Sequence, residues 1–96
     1  MSDLSVMHEE SGKKGRYYIV HASGESELKY SIMSSKLVSA EHTQTASGHE
    51  GEDIGATMLR EFIADARSKG FQIVPLCPFV NAQRRKHPEW ADVFSV

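Results

Sequence analysis

What this chain has little of narrows its reading first. Cys77 is its only cysteine, so no internal disulfide can form and a reducing compartment is the expectation. Charge of one sign is not in excess: 11 Lys and Arg stand against 13 Asp and Glu, a net charge of −2. That balance gives no bulk attraction to a polyanion, so nucleic acid is not an expected partner. No apolar run reaches the length of a membrane span, and the first thirty residues lack a signal-peptide core. The expectation is a cytoplasmic protein with no membrane partner, a monomer or weak dimer. There is no internal repeat and no low-complexity segment.

What remains is one small domain, 96 residues long, with an apolar fraction of 40% that suffices for a single core. Residues 1–15 are polar, aperiodic and rich in Ser, Gly and charge, which predicts a disordered tail ahead of one domain over 16–96. Arg16 to Ala22 is β-branched and aromatic and reads as a strand. In the next strand, Glu27 to Met33, Leu28, Tyr30 and Ile32 alternate with polar residues. Lys36 to Thr43 makes a third strand, followed by a polar loop from Gln44 to Asp53. Ile54, Met58, Leu59, Phe62, Ile63 and Ala66 then share one side of a helical wheel, and Gly70 supplies the stop. Phe71 to Cys77 is almost wholly apolar, as in a parallel strand buried on both faces. A short helix from Pro78 to Lys86 ends at Pro88.

The segment from Ile73 to Val80 is the most informative. A central strand seldom tolerates proline unless its partner has moved away, so Pro75 predicts a splay that opens a slot. Cys77 would lie at its inner end and at the N-cap of the following helix, where the helix field favours a thiolate; the alternative is a small buried hydrophobe. His42 ends the neighbouring strand and has the pKa range to move protons near neutrality, although a lone histidine is more often a structural hydrogen-bonder than a catalyst. The loop from Glu50 to Gly55 aims helix-opening N–H groups at one spot, a natural anion site, although Gly51 and Gly55 equally suit tight turning and close packing. His49, Glu50, Glu52 and Asp53 match no familiar ligand spacing, so no metal is expected. Arg84, Arg85 and Lys86 suit either a solvated helix end or a phosphate clamp.

Together these residues resemble the compact, single-motif branch of the GNAT acetyltransferase superfamily over about residues 16–94. The signatures are Tyr30, His42-Thr43, Ile54-Gly55, Ala66-Arg67, Gly70, the run Val74-Pro75-Leu76-Cys77-Pro78-Phe79-Val80, and His87-Pro88-Glu89. The resemblance implies a mixed α+β or α/β sheet: three antiparallel strands, a parallel splayed strand, one long helix and short C-terminal helices. It implies acetyl-coenzyme A as co-substrate and an amine acceptor, more readily of a protein or peptide than an enclosed metabolite. The coenzyme would meet Thr43, Cys77 and Phe79, with its pyrophosphate on Gly51, Glu52, Asp53, Ile54, Gly55 and Ala56, and Arg84 and Arg85 nearby. His42 would accept a proton, and Cys77 would act as a nucleophile or line the pocket.

The chain departs from the superfamily pattern at four places, one of them Thr45-Ala46, near which Val-Pro is usual. Glu50 and Asp53 stand where a basic residue and a glycine belong, and Gln83 stands in place of a tyrosine. Each carboxylate repels a pyrophosphate by about 1 kcal/mol at an effective dielectric of about 20 and separations of about 12–16 Å. The alternative function is therefore a silent relative that binds an acyl-coenzyme A or a protein partner.

Overall fold

The computed structural model describes residues 5–50 and 52–96, with Glu52 described for its backbone alone. The elements are β1 (Met7–Ser11), β2 (Lys14–His21), β3 (Gly24–Ser34), β4 (Leu37–Gln44), α1 (Glu52–Lys69), β5 (Gln72–Pro75), α2 (Pro78–Lys86) and a 3-10 segment (Pro88–Val93). The five strands lie side by side in chain order. The first three pairings are antiparallel, and α1 carries the chain across to a parallel β5. This is a mixed sheet of the kind the resemblance implies.

One face of the sheet is apolar and one is charged, as period-two alternation dictates. Tyr17, Ile19, Leu28, Tyr30, Val38 and Ala40 are buried with the packed face of α1: Ile54, Met58, Leu59, Phe62, Ile63 and Ala66. Phe62 lies under Tyr17 and Tyr30, its ring centroid 5.1 and 5.2 Å from theirs. On the opposite face Arg16 is bonded to Glu9 and Glu25 at 2.7 Å and to Glu27 at 2.9 Å. α1 stops where expected, at Gly70, whose φ of 78° suits a residue without a Cβ.

Two expectations are corrected. Residues 1–15 are not all tail, because β1 pairs with β2 from Met7↔Tyr18 to Ser11↔Lys14. Every residue of β1 is exposed, so no apolar alternation marks it in the sequence. It is held instead by what it touches: the His8 ring stacks on Tyr17 at 4.3 Å, and Glu9 bonds Arg16. The sheet therefore has four antiparallel strands before the parallel one.

The second correction concerns β5, which is an edge strand rather than a central one. Only Ile73 is fully buried in it, and Leu76 just beyond is 63% exposed. Its outer edge is partly closed by the C-terminus, where Ser95 N–H donates to Ile73 O at 2.9 Å. Residues 73 and 75 thus direct their backbone groups away from β4, and Pro75 costs the ladder no hydrogen bond.

The His-Pro-Glu motif is a clasp. His87 stacks on Trp90 at 4.0 Å and its Nδ1 meets Glu89 Oε2 at 2.9 Å. Arg67, near the end of α1, bonds Glu89 O at 2.8 Å and Asp92 Oδ1 at 2.9 Å. The guanidinium holds the Asp92 carboxyl below the ordinary carboxylate range.

Candidate active site

The gap between β4 and β5 arises from one residue looped out of a ladder. Gln72 N–H donates to Lys36 O at 2.9 Å. Continuing in steps of two, Leu76 N–H would reach Ala40 O. Instead Leu76 N–H turns back to Val74 O at 3.0 Å, and Cys77 N–H takes Ala40 O at 2.9 Å. Register pairing ends at Ala40↔Pro75, while β4 runs on from Glu41 to Gln44 against β3 alone. Among the described residues its other edge has no strand partner there, the kind of edge to which an extended amide-bearing chain adds. A bulge lies at the same point: Tyr30 faces Ala40 and Lys29 faces His42, so Glu41 is the extra residue. Bulges of this kind re-aim the side chains that follow.

Cys77 sits where the sequence places it, at the N-cap of α2, with φ −70° and ψ 128° and Pro78 in the first turn. Its sulfur does not cap the helix. The thiol is buried, 3% exposed, and lies 3.2 Å from Thr43 Oγ1. Thr43 pairs with buried Leu28, which fixes it to the core side of β4. His42 alternates to the charged side, exposed and in register with Lys29, which itself faces Arg16. The sequence puts Cys77 at the inner end of the slot and His42 at the end of the neighbouring strand; the structure puts thiol and imidazole on opposite faces of β4. An open hollow of about 600 Å³ lined by Glu9, Lys14, Arg16, Lys29 and Glu41, among others, adjoins the His42 side.

The loop before α1 is tied to the β2–β3 hairpin. Ala46 N–H donates to Ser26 Oγ at 2.9 Å, and the Ser23 hydroxyl donates to Ser47 O at 2.8 Å. The Glu50 carboxylate accepts from Gly48 N–H at 3.1 and 3.2 Å. Asp53 is exposed in the first turn of α1, Ile54 and Ala56 are buried, and Gly51 and the Glu52 side chain lie outside the described residues. Gly55 is explained by packing: a Cβ there would come 2.6 Å from Cζ of Phe79. The close-packing alternative therefore accounts for Gly55, and it brings the opening of α1 against the opening of α2.

Arg84 and Arg85 lie at the other end of α2 from Cys77, about 10 Å along a helix rising 1.5 Å per residue. Arg84 Nε donates to Asn81 Oδ1 at 2.8 Å, Arg85 is exposed, and Gln83 is buried. Among the described residues no group of three His, Cys, Asp or Glu could hold a metal ion, and no helix is long and apolar enough to cross a membrane.

Sequence reasoning missed a polar cluster under β1. His8 Nε2 lies 2.5 Å from Tyr30 Oη, Tyr30 donates to Glu10 at 2.7 Å, and Tyr17 donates to Asp65 at 2.6 Å. Burial, then the carboxylate partners, push both phenols above the ordinary tyrosine range. The signature residue Tyr30 is thereby an anchor for the N-terminal strand. The exposed, aperiodic composition of residues 7–11 gave no signal for this.

Comparison with known proteins agrees with this geometry. A family model described as GCN5-related N-acetyl-transferase matches residues 16–93. The solution NMR structure of a GCN5-like protein from Staphylococcus aureus shares the fold, with a TM-score of 0.73 at 22% identity, covering 99% of this chain and 91% of that one. No curated protein matches the chain significantly in sequence. A match spanning both the open edge of β4 and the Cys77 turn decides the assignment: the chain belongs to the GCN5-related N-acetyltransferase family.

Proposed function

We propose that this chain transfers an acetyl group from acetyl-coenzyme A to an amine of a protein or peptide. The observation that carries the reading is the open edge of β4 from Glu41 to Gln44, beside a strand that leaves its ladder at Pro75. Backbone groups of that edge suit the amide-bearing arm of the coenzyme, and Thr43, Cys77 and Phe79 would line it. The N–H groups opening α1 would take the pyrophosphate, with Arg84 and Arg85 as outlying cations.

Acetyl-coenzyme A supplies an activated thioester carbonyl. The chain's task is to orient it and to remove the ammonium proton of the acceptor. Exposed His42 on the charged face is the group for that proton, and the hollow beside it admits an amine from a large partner. Backbone donors at the gap would stabilise negative charge developing on the carbonyl oxygen. Cys77 lines the gap against Thr43 and is the candidate for a covalent role. The free thiol suits a cytoplasmic setting.

A specific observation favours the silent relative as the second reading. The Glu50 carboxylate already occupies the Gly48 N–H in the loop that would face the pyrophosphate. Thiol release from acetyl-coenzyme A with lysine-bearing peptides separates the two. Turnover that falls about 100-fold or more in His42→Ala at neutral pH is expected for a general base. Turnover unchanged in the variant would move the base elsewhere, and none in the wild type would favour the silent reading.

A further inference from the structure

We propose that His21 and His49 form a proton-operated latch that holds the loop before α1 on the β2–β3 hairpin and, when opened by acid, loosens coenzyme A. The last part rests on the acetyl-coenzyme A reading; the latch itself does not.

The two imidazoles stack with centroids 3.9 Å apart and planes 24° from parallel. His21 belongs to the end of β2 and His49 to the loop, so the stack joins two separate elements. Beneath it Ser26, fully buried, accepts Ala46 N–H at 2.9 Å and lies 2.9 Å from His21 Nε2. In the tautomer with its proton on Nδ1, Nε2 accepts the serine proton, and the hydroxyl is then satisfied both as donor and as acceptor, which makes this the favoured neutral form. Protonating Nε2 turns both neighbours of that oxygen into donors and leaves the buried serine proton without an acceptor. It also sets a cation against a stacked second imidazole.

No carboxylate among the described residues is bonded to either imidazole, and none is among the causes that shift His21. Glu25, one residue from the hairpin turn, is bonded to Arg16, and Glu50, next to His49, is bonded to Gly48 N–H. Burial, and then His49, hold the His21 imidazole below its ordinary pKa. The sign follows. Protons bind better to the released loop, so the latch is closed above about pH 6.5 and opens as the pH falls below it. The loop also turns on itself, through His49 N–H to Ala46 O at 2.9 Å, so it releases as a unit.

The test is amide hydrogen exchange of Ala46 and His49, expressed as protection factors, between pH 7.5 and 5.5. In the wild type protection of Ala46 is expected to fall by more than about twofold and by at most about tenfold, the limit for one histidine released at its ordinary pKa. In His21→Gln, whose amide keeps a polar atom at the same reach without titrating, protection is expected to stay within about twofold. Wild-type protection that does not change, or an equal fall in His21→Gln, would overturn the latch. Coenzyme A affinity measured on the same two proteins tests the link. A fall with acid that is larger in the wild type supports it, and equal falls overturn it. Exchange that responds while coenzyme A binds at neither pH leaves the latch standing and sinks the cofactor reading instead.

Discussion

A Cβ on Gly15 would run into the Tyr30 ring packed across from it. Tyr30 is buried and its hydroxyl is bound by His8 and Glu10, so the ring has nowhere to swing. Gly15→Ala is expected to cost about 1–3 kcal/mol, the usual range for overpacking, read by urea unfolding. A loss below about 0.5 kcal/mol would show a more mobile ring. Tyr17 makes a pH prediction. Its phenol titrates above the ordinary value of 10 when folded, so its contribution is present below pH 10 and is lost as pH rises through the folded pKa. Wild type should lose about 1.4 kcal/mol per pH unit above 10 from this group. Tyr17→Phe removes that slope, so the two stability curves should converge between pH 10 and 12; parallel curves would contradict the account. At this scale the apolar positions were legible from alternation and helical spacing. Polar pairings such as Tyr17–Asp65, 48 residues apart, depend on which strands adjoin, and a single sequence does not carry that.

β5 shows how an element can be found and its cause misread. The run from Phe71 to Cys77 was legible as a strand, observed over Gln72–Pro75, parallel and followed by a helix with Cys77 at its N-cap position. Its proline suggested a central strand forced apart. The structure instead shows an edge strand whose residue 75 faces away from β4, with the departure made at Leu76. Pro75→Ala is therefore expected to leave the gap intact. It should cost no more than about 1 kcal/mol, from the freer unfolded chain. Chemical denaturation together with amide shifts of residues 40–44 would show this; shifts spreading along β4 would mean that proline does hold the strands apart. β1 escaped notice for the opposite reason: its residues are exposed and held by the partners they touch, with no apolar alternation of their own.

For the whole molecule, the order of elements from β2 onward, the long helix and the family were legible, because the strand–helix–strand pattern and the Pro-x-Cys-Pro-Phe-Val run are local in sequence. The relation between His42 and Cys77 was not, since it turns on the bulge at Glu41 and on which face each strand residue takes. On the proposed reading, opposite faces would divide the labour: coenzyme along the inner edge of β4, acceptor over the charged outer face. Titration of the labelled protein with coenzyme A, followed by amide shifts, tests this most directly. The account predicts saturable shifts at residues 41–44, at 76–80 and at the opening of α1, with the outer face near Lys14 and Arg16 quiet. Shifts confined to the outer face, or none at millimolar coenzyme A, would contradict it.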